Sequence, residues 1–175
     1  MSNIVVFGAS GQLGQCLKQV AGMLGITSIY FPPETEANIL DKDAIRKIFD
    51  TYQPAWCINC AAYTAVDKAE TETATAFKIN GDAPGILAGI LAKNARKLIQ
   101  LSTNYVFDGL SPKPLDEHAA TNPVNIYGAS KLKGEQLAME NNPQTLILRT
   151  SWLYSAFGNN FVKTMMRRMK TKDSI

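Results

Sequence analysis

Ile4-Val5-Val6-Phe7-Gly8-Ala9-Ser10-Gly11-Gln12-Leu13-Gly14 is the stretch on which the fold turns. Four apolar residues in a row, ending at a glycine, read as a short strand buried on both faces. Gly8 and Gly11 permit a tight turn and close backbone approach to a pyrophosphate, and Gly14 lets a following helix pack on the strand. Ser10, Gln12 and Leu13 complete the turn, and the helix beyond it offers N–H groups and a positive dipole end to phosphate. A plain strand-to-helix turn is the bland alternative. The position between a strand and a helix favours dinucleotide binding over it.

Outward from this turn the pattern repeats. Helix is expected from Gln12 to Leu24, with Leu13, Leu17, Val20 and Leu24 on one apolar face. A strand over Ser28–Phe31 stops at Pro32-Pro33. A helix over Asp41–Thr51 has Asp41 as its N-cap. Trp56–Cys60 is a third strand, and a long helix over Thr73–Asn94 is bent at Pro84. Strands at Leu98–Leu101 and Leu146–Leu148 bracket a helix over Asn125–Asn141, and a last helix covers Asn160–Lys170. Alternation of this kind predicts an α/β fold, a Rossmann-like doubly wound parallel sheet with helices on both faces. The one long irregular stretch, Phe107–Val124, contains Pro112, Pro114 and Pro123 and reads as a functional loop.

The chain has 175 residues, 46% hydrophobic and 19% charged, which suits one domain. Eighteen basic against fifteen acidic side chains leave a formal charge of +3, too slight and scattered for a nucleic-acid partner. No apolar run of roughly 18 residues exists, so no membrane span is expected. Three cysteines and no signal-like start point to a reduced, cytoplasmic protein. Cys57 and Cys60 have metal-like spacing, but residues three apart on a strand face opposite ways. With His118 the only histidine, no metal site is expected. Trp56 reads as packing, Arg149 as an anchor for the end of strand five, and Met165, Met166 and Met169 as core or interface.

Tyr127-Gly128-Ala129-Ser130-Lys131 places a phenol and an ammonium at i and i+4 on one helix face. A nearby ammonium favours the phenolate and would draw the tyrosine pKa down from about 10. Leu101-Ser102-Thr103-Asn104 ends strand four, where ligands of such folds bind. A hydroxyl there can donate to a carbonyl oxygen that Tyr127 protonates. The ribose partner stays open, because Phe31-Pro32-Pro33 stands where an acid is usual, with Glu34 and Glu36 slightly late and no Arg nearby. The residues therefore do not choose between NADH and NADPH.

These features carry a resemblance. The sequence resembles the extended short-chain dehydrogenase/reductase superfamily and, within it, the dTDP-4-dehydrorhamnose reductases. The matching blocks are Gly8–Gly14, Asn59–Glu70, Leu101–Gly109, Tyr127–Lys131 with Gly134-Glu135, and Leu148–Tyr154. The resemblance implies reduction of the 4-keto group of a dTDP-deoxysugar by NADPH or NADH. It implies Thr103, Tyr127 and Lys131 as catalytic residues. It implies cofactor contacts from Gly8, Ser10, Gly11, Gln12, Leu13, Gly14, Asn38, Ile39, Ala61, Ala62, Tyr63, Tyr127 and Lys131. Substrate contacts would come from Thr103, Asn104 and Trp152. Two positions depart from the family, Asn38 and Asn104, where Asp is usual; asparagine can hydrogen-bond a sugar hydroxyl but carries no charge. Sugar-nucleotide dehydratases or epimerases of the same superfamily, and a non-catalytic relative resembling a regulatory subunit of methionine adenosyltransferase, are the alternatives. Family members often pair as homodimers. The family's chains also continue past this length, so residues 1–175 are expected to be the NAD(P)-binding Rossmann domain, cut before a C-terminal substrate-binding region. The final helix running into Lys172-Asp173-Ser174-Ile175 without a terminator agrees with that expectation, and such a piece should bind dinucleotide better than it reduces sugar.

Overall fold

The computed structural model describes residues 3–171. The run Lys172–Ile175, on which the expectation of an unterminated end rests, lies outside the described residues. In chain order the elements are β1 (Ile4–Phe7), α1 (Gln12–Met23), β2 (Ile29–Tyr30), α2 (Lys42–Tyr52), β3 (Trp56–Asn59), α3 (Val66–Ala69), α4 (Thr73–Ala76), α5 (Ala83–Ala92), β4 (Lys97–Thr103), α6 (Ile126–Asn141), β5 (Leu146–Thr150) and α7 (Phe161–Thr171). The five strands form one sheet in the order β2-β1-β3-β4-β5, every neighbouring pair parallel. The doubly wound sheet is therefore as expected, with the order reversing beside β1, where a crevice opens at the strand ends.

Val5, Val6 and Phe7 are fully buried, as an all-apolar central strand requires. The core continues through Cys57 and Leu98 to Leu87, Ala88 and Leu91 of α5 and Ala138 of α6, with Ile45, Ile48 and Phe49 of α2 closing it. Asp41 caps α2 by accepting from the Asp43 and Ala44 N–H groups at 2.9 and 3.1 Å.

One expectation is corrected and another refined. The apolar face assigned to α1 is half-buried at Leu13 and Leu17 but exposed at Val20 and Leu24, 49% and 69%, and the helix buries Gly14 and Ala21. Small residues face the sheet because the turn brings α1 too close for larger ones; a Cβ on Gly14 would stand 2.3 Å from the Gly8 carbonyl oxygen. The long helix runs without interruption over 73–92, close to the expected span, but it is π-helical over Phe77–Asp82, just before Pro84. Pro84 cannot donate to the Asn80 carbonyl four residues back. That carbonyl instead meets α6, where a Cβ on Gly134 would lie 2.0 Å from it.

Candidate active site

β1 carries the first wall of the site. Gly8 has φ +75°, and a side chain there would strike the Ala61 backbone N at 2.4 Å. The glycine thus brings the turn after β1 against the turn after β3. Gly11 is the N-cap of α1 and makes no side-chain hydrogen bond, and no acidic residue stands in the first turn. The helix N-terminus accordingly faces the crevice without an internal anion.

The opposite wall is β4 and α6. Asn125 caps α6 by accepting from Gly128 N at 2.7 Å, which fixes where Tyr127 and Lys131 emerge. Gly128 is needed there, since a Cβ would lie 2.2 Å from the Tyr105 carbonyl oxygen. The Tyr127 ring stands edge-on to Tyr105, centroids 5.7 Å apart. Burial raises the Tyr127 pKa, while the Thr103 hydroxyl beside it pulls it down. The downward pull expected from the lysine does not appear: burial, Thr103 and Tyr105 set the Tyr127 shift, and Lys131 takes no part in it. Lys131 is 4% exposed, and its ammonium donates to the Leu101 carbonyl oxygen at 2.6 Å. Desolvation lowers its pKa from 10.5 to about 8, against the opposing pull of Glu135 and Cys60. Burial likewise pushes Cys60 up to about 12 and Cys57 well above the thiol range, so both are protonated thiols.

A cavity of about 890 Å³ joins these walls. Of the residues expected to bind or react, Gly8, Ser10, Gly11, Gln12, Leu13, Asn38, Ile39, Ala61, Ala62, Thr103, Asn104, Tyr127, Lys131 and Trp152 line it. Gly14 and Tyr63 do not. Gly14 sits behind the turn, and Tyr63 donates its hydroxyl to Glu72 at 2.8 Å while Asn80 clamps its backbone from both sides. Sequence reasoning missed Leu101 and Ser102, although both lie in the quoted strand-four block, and it missed Thr150, Gly158 and Asn159. Ser102 Oγ is the one buried side-chain polar atom without a hydrogen-bond partner among the described residues. The Gly158 and Asn159 walls carry no local sequence signal. They reach the cavity because Asn160 donates to Gln12 at 3.1 Å and folds the loop after β5 over the first turn.

Arg149 is the anchor expected at the end of β5, and more. Its guanidinium forms a bidentate pair with the buried Glu135 of α6, with contacts down to 2.7 Å. It also donates to the Glu117 carbonyl and lies over the Phe107 ring at 5.2 Å. One side chain thereby ties the long irregular loop to the helix of Tyr127 and Lys131. No cluster of His, Cys, Asp or Glu among the described residues could hold a metal ion. No helix among them is long and apolar enough to cross a membrane.

Fold and site together define a Rossmann-type domain with a Thr–Tyr–Lys set facing a glycine turn. The family described as the RmlD substrate binding domain matches residues 1–175, and the chain belongs to that family. It is 38% identical over 173 residues to a dTDP-4-dehydrorhamnose reductase from Aggregatibacter actinomycetemcomitans, covering 99% of this chain and 59% of that one. The crystal structure of a Bacillus anthracis dTDP-4-dehydrorhamnose reductase in complex with NADP is 38% identical and superposes with a TM-score of 0.94. It covers 99% of this chain and 62% of its own. A Clostridium acetobutylicum dTDP-4-dehydrorhamnose reductase is 40% identical with a TM-score of 0.91, over 98% and 60%. The chain thus spans about three fifths of the length of the relatives it matches.

Proposed function

We propose that residues 1–175 form the dinucleotide-binding part of an NAD(P)H-dependent oxidoreductase that reduces the 4-keto group of dTDP-4-dehydro-L-rhamnose to dTDP-L-rhamnose. The observation that carries the reading is the shared cavity. A glycine-built helix N-terminus with no acidic residue in its first turn, and a Thr103–Tyr127–Lys131 set in which Thr103 and Lys131 are buried and Tyr127 half-buried, face one space of about 890 Å³. The relatives named as reductases, one of them bound to NADP, support it.

These residues fit a dinucleotide. The Gly8–Gly14 turn would hold the pyrophosphate, Asn38 and Ile39 the adenine end, Ala61 and Ala62 the middle, and Lys131 a ribose hydroxyl. When bound, the reduced nicotinamide supplies a hydride. Tyr127, kept as a phenol by burial, donates the proton to the carbonyl oxygen, and Thr103 donates a hydrogen bond to the same oxygen as charge develops. Asn104 and Trp152 would face the sugar. Asn104 and Tyr105 follow Thr103 without a carboxylate, which favours simple reduction over expulsion of a hydroxyl. Three free cysteines support a reducing, cytoplasmic setting, and the homodimer common in the family completes the reading.

Two measurements test it. Calorimetric titration with NADPH and with NADH should show binding of at least one. Oxidation of that dinucleotide should then accelerate on adding a dTDP-4-keto-6-deoxysugar. A chain that binds neither dinucleotide sinks the proposal.

A further inference from the structure

Behind the cavity lies a second set of polar side chains that the proposed chemistry does not use. Asn59, at the end of β3, is fully buried, and Gln100 of β4 is 2% exposed. The strands place these two residues opposite each other, Asn59 paired with Gln100. Asn59 donates through Nδ2 to Gln100 Oε1 at 2.7 Å. Its own Oδ1 accepts from Ala61 N at 3.1 Å, the backbone group against which Gly8 packs. Gln100 in turn donates through Nε2 to the Leu101 carbonyl oxygen at 2.9 Å, the same oxygen that accepts from Lys131. Buried carboxamides must be paired, so this bridge has a stability reason. A structural bridge, however, has no need to end on the oxygen that anchors the lysine.

We propose that Gln100, oriented by Asn59, is a positioning residue for Lys131: it shares the Leu101 carbonyl with the ammonium and so fixes where that ammonium sits and how readily it keeps its proton. The carboxamide N–H and the ammonium converge on one acceptor. Their positive ends oppose each other, and the amide takes part of the acceptor capacity that would otherwise stabilise the charge. The other titratable groups facing Lys131 are Glu135, one turn further along α6 and held by Arg149, and Cys60 after β3. Tyr127 stands one turn before it on the same helix. Among the described residues, the side chains that hydrogen-bond the Leu101 carbonyl are those of Gln100 and Lys131, not Glu135 or Cys60. Gln100 is therefore the group that can be altered without touching the rest of the set. The functional consequence rests on the dinucleotide reading, in which Lys131 holds the ribose. The electrostatic consequence does not.

The test follows Lys131 itself, by the ¹³Cε chemical shift of labelled lysine, with the resonance assigned by its loss in Lys131→Met. Titrated without dinucleotide, Gln100→Met should move the Lys131 midpoint upward by about half a pH unit or more, because the competing donor is gone. Gln100→Glu keeps the acceptor for Asn59 and turns the group beside Leu101 from donor to anion. Its midpoint should rise further, by about one unit or more. In calorimetry, Gln100→Met should also weaken NADPH or NADH binding about threefold or more. A merely structural carboxamide would change the denaturation midpoint and leave the lysine titration where it was. If Gln100→Met does not fold, Gln100→Glu decides. Unchanged Lys131 midpoints, or a downward move, overturn the proposal. Failure of the wild-type chain to bind dinucleotide would sink the functional reading alone, since the titration needs no ligand.

Discussion

The buried ammonium of Lys131 should appear in the pH dependence of stability, and the size follows from its surroundings. An unfolded lysine holds its proton to about 10.5, whereas the folded one gives it up near 8. Between those values the unfolded chain binds more protons, so unfolding becomes harder as pH rises. At roughly 1.4 kcal/mol per pH unit, the gain is about 3 kcal/mol, complete near pH 10.5 and absent below about pH 8. Other groups titrate in the same range, so the perturbation is Lys131→Met, which removes this titration while keeping an unbranched chain in the slot. Urea unfolding of both proteins, followed by circular dichroism at intervals from about pH 7 to about pH 11, isolates the effect. The wild type should gain about 3 kcal/mol on the variant across that window. Parallel curves would show that the ammonium is solvated or fully compensated in the folded state, and the argument that burial dominates at Lys131 would fail. A difference of opposite slope would mean that Glu135 and Cys60 outweigh desolvation.

Three further outcomes follow. Tyr127→Phe should lower reductase turnover by about 10²–10⁴-fold while dinucleotide affinity stays within about threefold, since only a proton donor is lost; unchanged turnover in the absorbance assay would remove Tyr127 from the role. Gly8→Ala combines a φ of +75° with a Cβ only 2.4 Å from Ala61 N. It should cost of order 1–3 kcal/mol and abolish dinucleotide binding in calorimetry. Arg149→Met leaves the buried Glu135 carboxylate unpaired and should cost about 3–5 kcal/mol in urea unfolding, much of it recovered in the Glu135→Leu, Arg149→Met double variant. Limited proteolysis of the single variant should cut within residues 107–124, because Arg149 also holds Glu117 and Phe107.

Much of the fold was legible because its signals are local. The apolar run Ile4–Phe7 can bury only as a central strand, and the glycine spacing after it has one good use. Asp41 and Asn125 mark helix starts through side chains that reach backbone groups two or three residues on. The reading failed where burial depends on a distant partner. Val20 and Leu24 have helical spacing, but nothing in their own segment says that the glycine turn would press small residues against the sheet instead. The π-helical turn at Phe77–Asp82 was not legible beyond a bend at Pro84, because the Gly134 that meets the Asn80 carbonyl lies more than fifty residues away along the chain.

By itself, the sequence determined the succession of strands and helices, the phosphate-type turn, and the placing of Tyr127 and Lys131 on one helix face. These depend on neighbours within a few residues, where backbone geometry follows from residue type. Only the tertiary structure decided that Leu101 carries Lys131, that Gln100 and Asn59 stand behind it, and that Arg149 straps the long loop. Those contacts join strands and helices separated by fourteen to more than forty residues. They exist because parallel register brings the ends of β1, β3 and β4 to one edge of the sheet, where buried polar groups must find one another or remain unpaired.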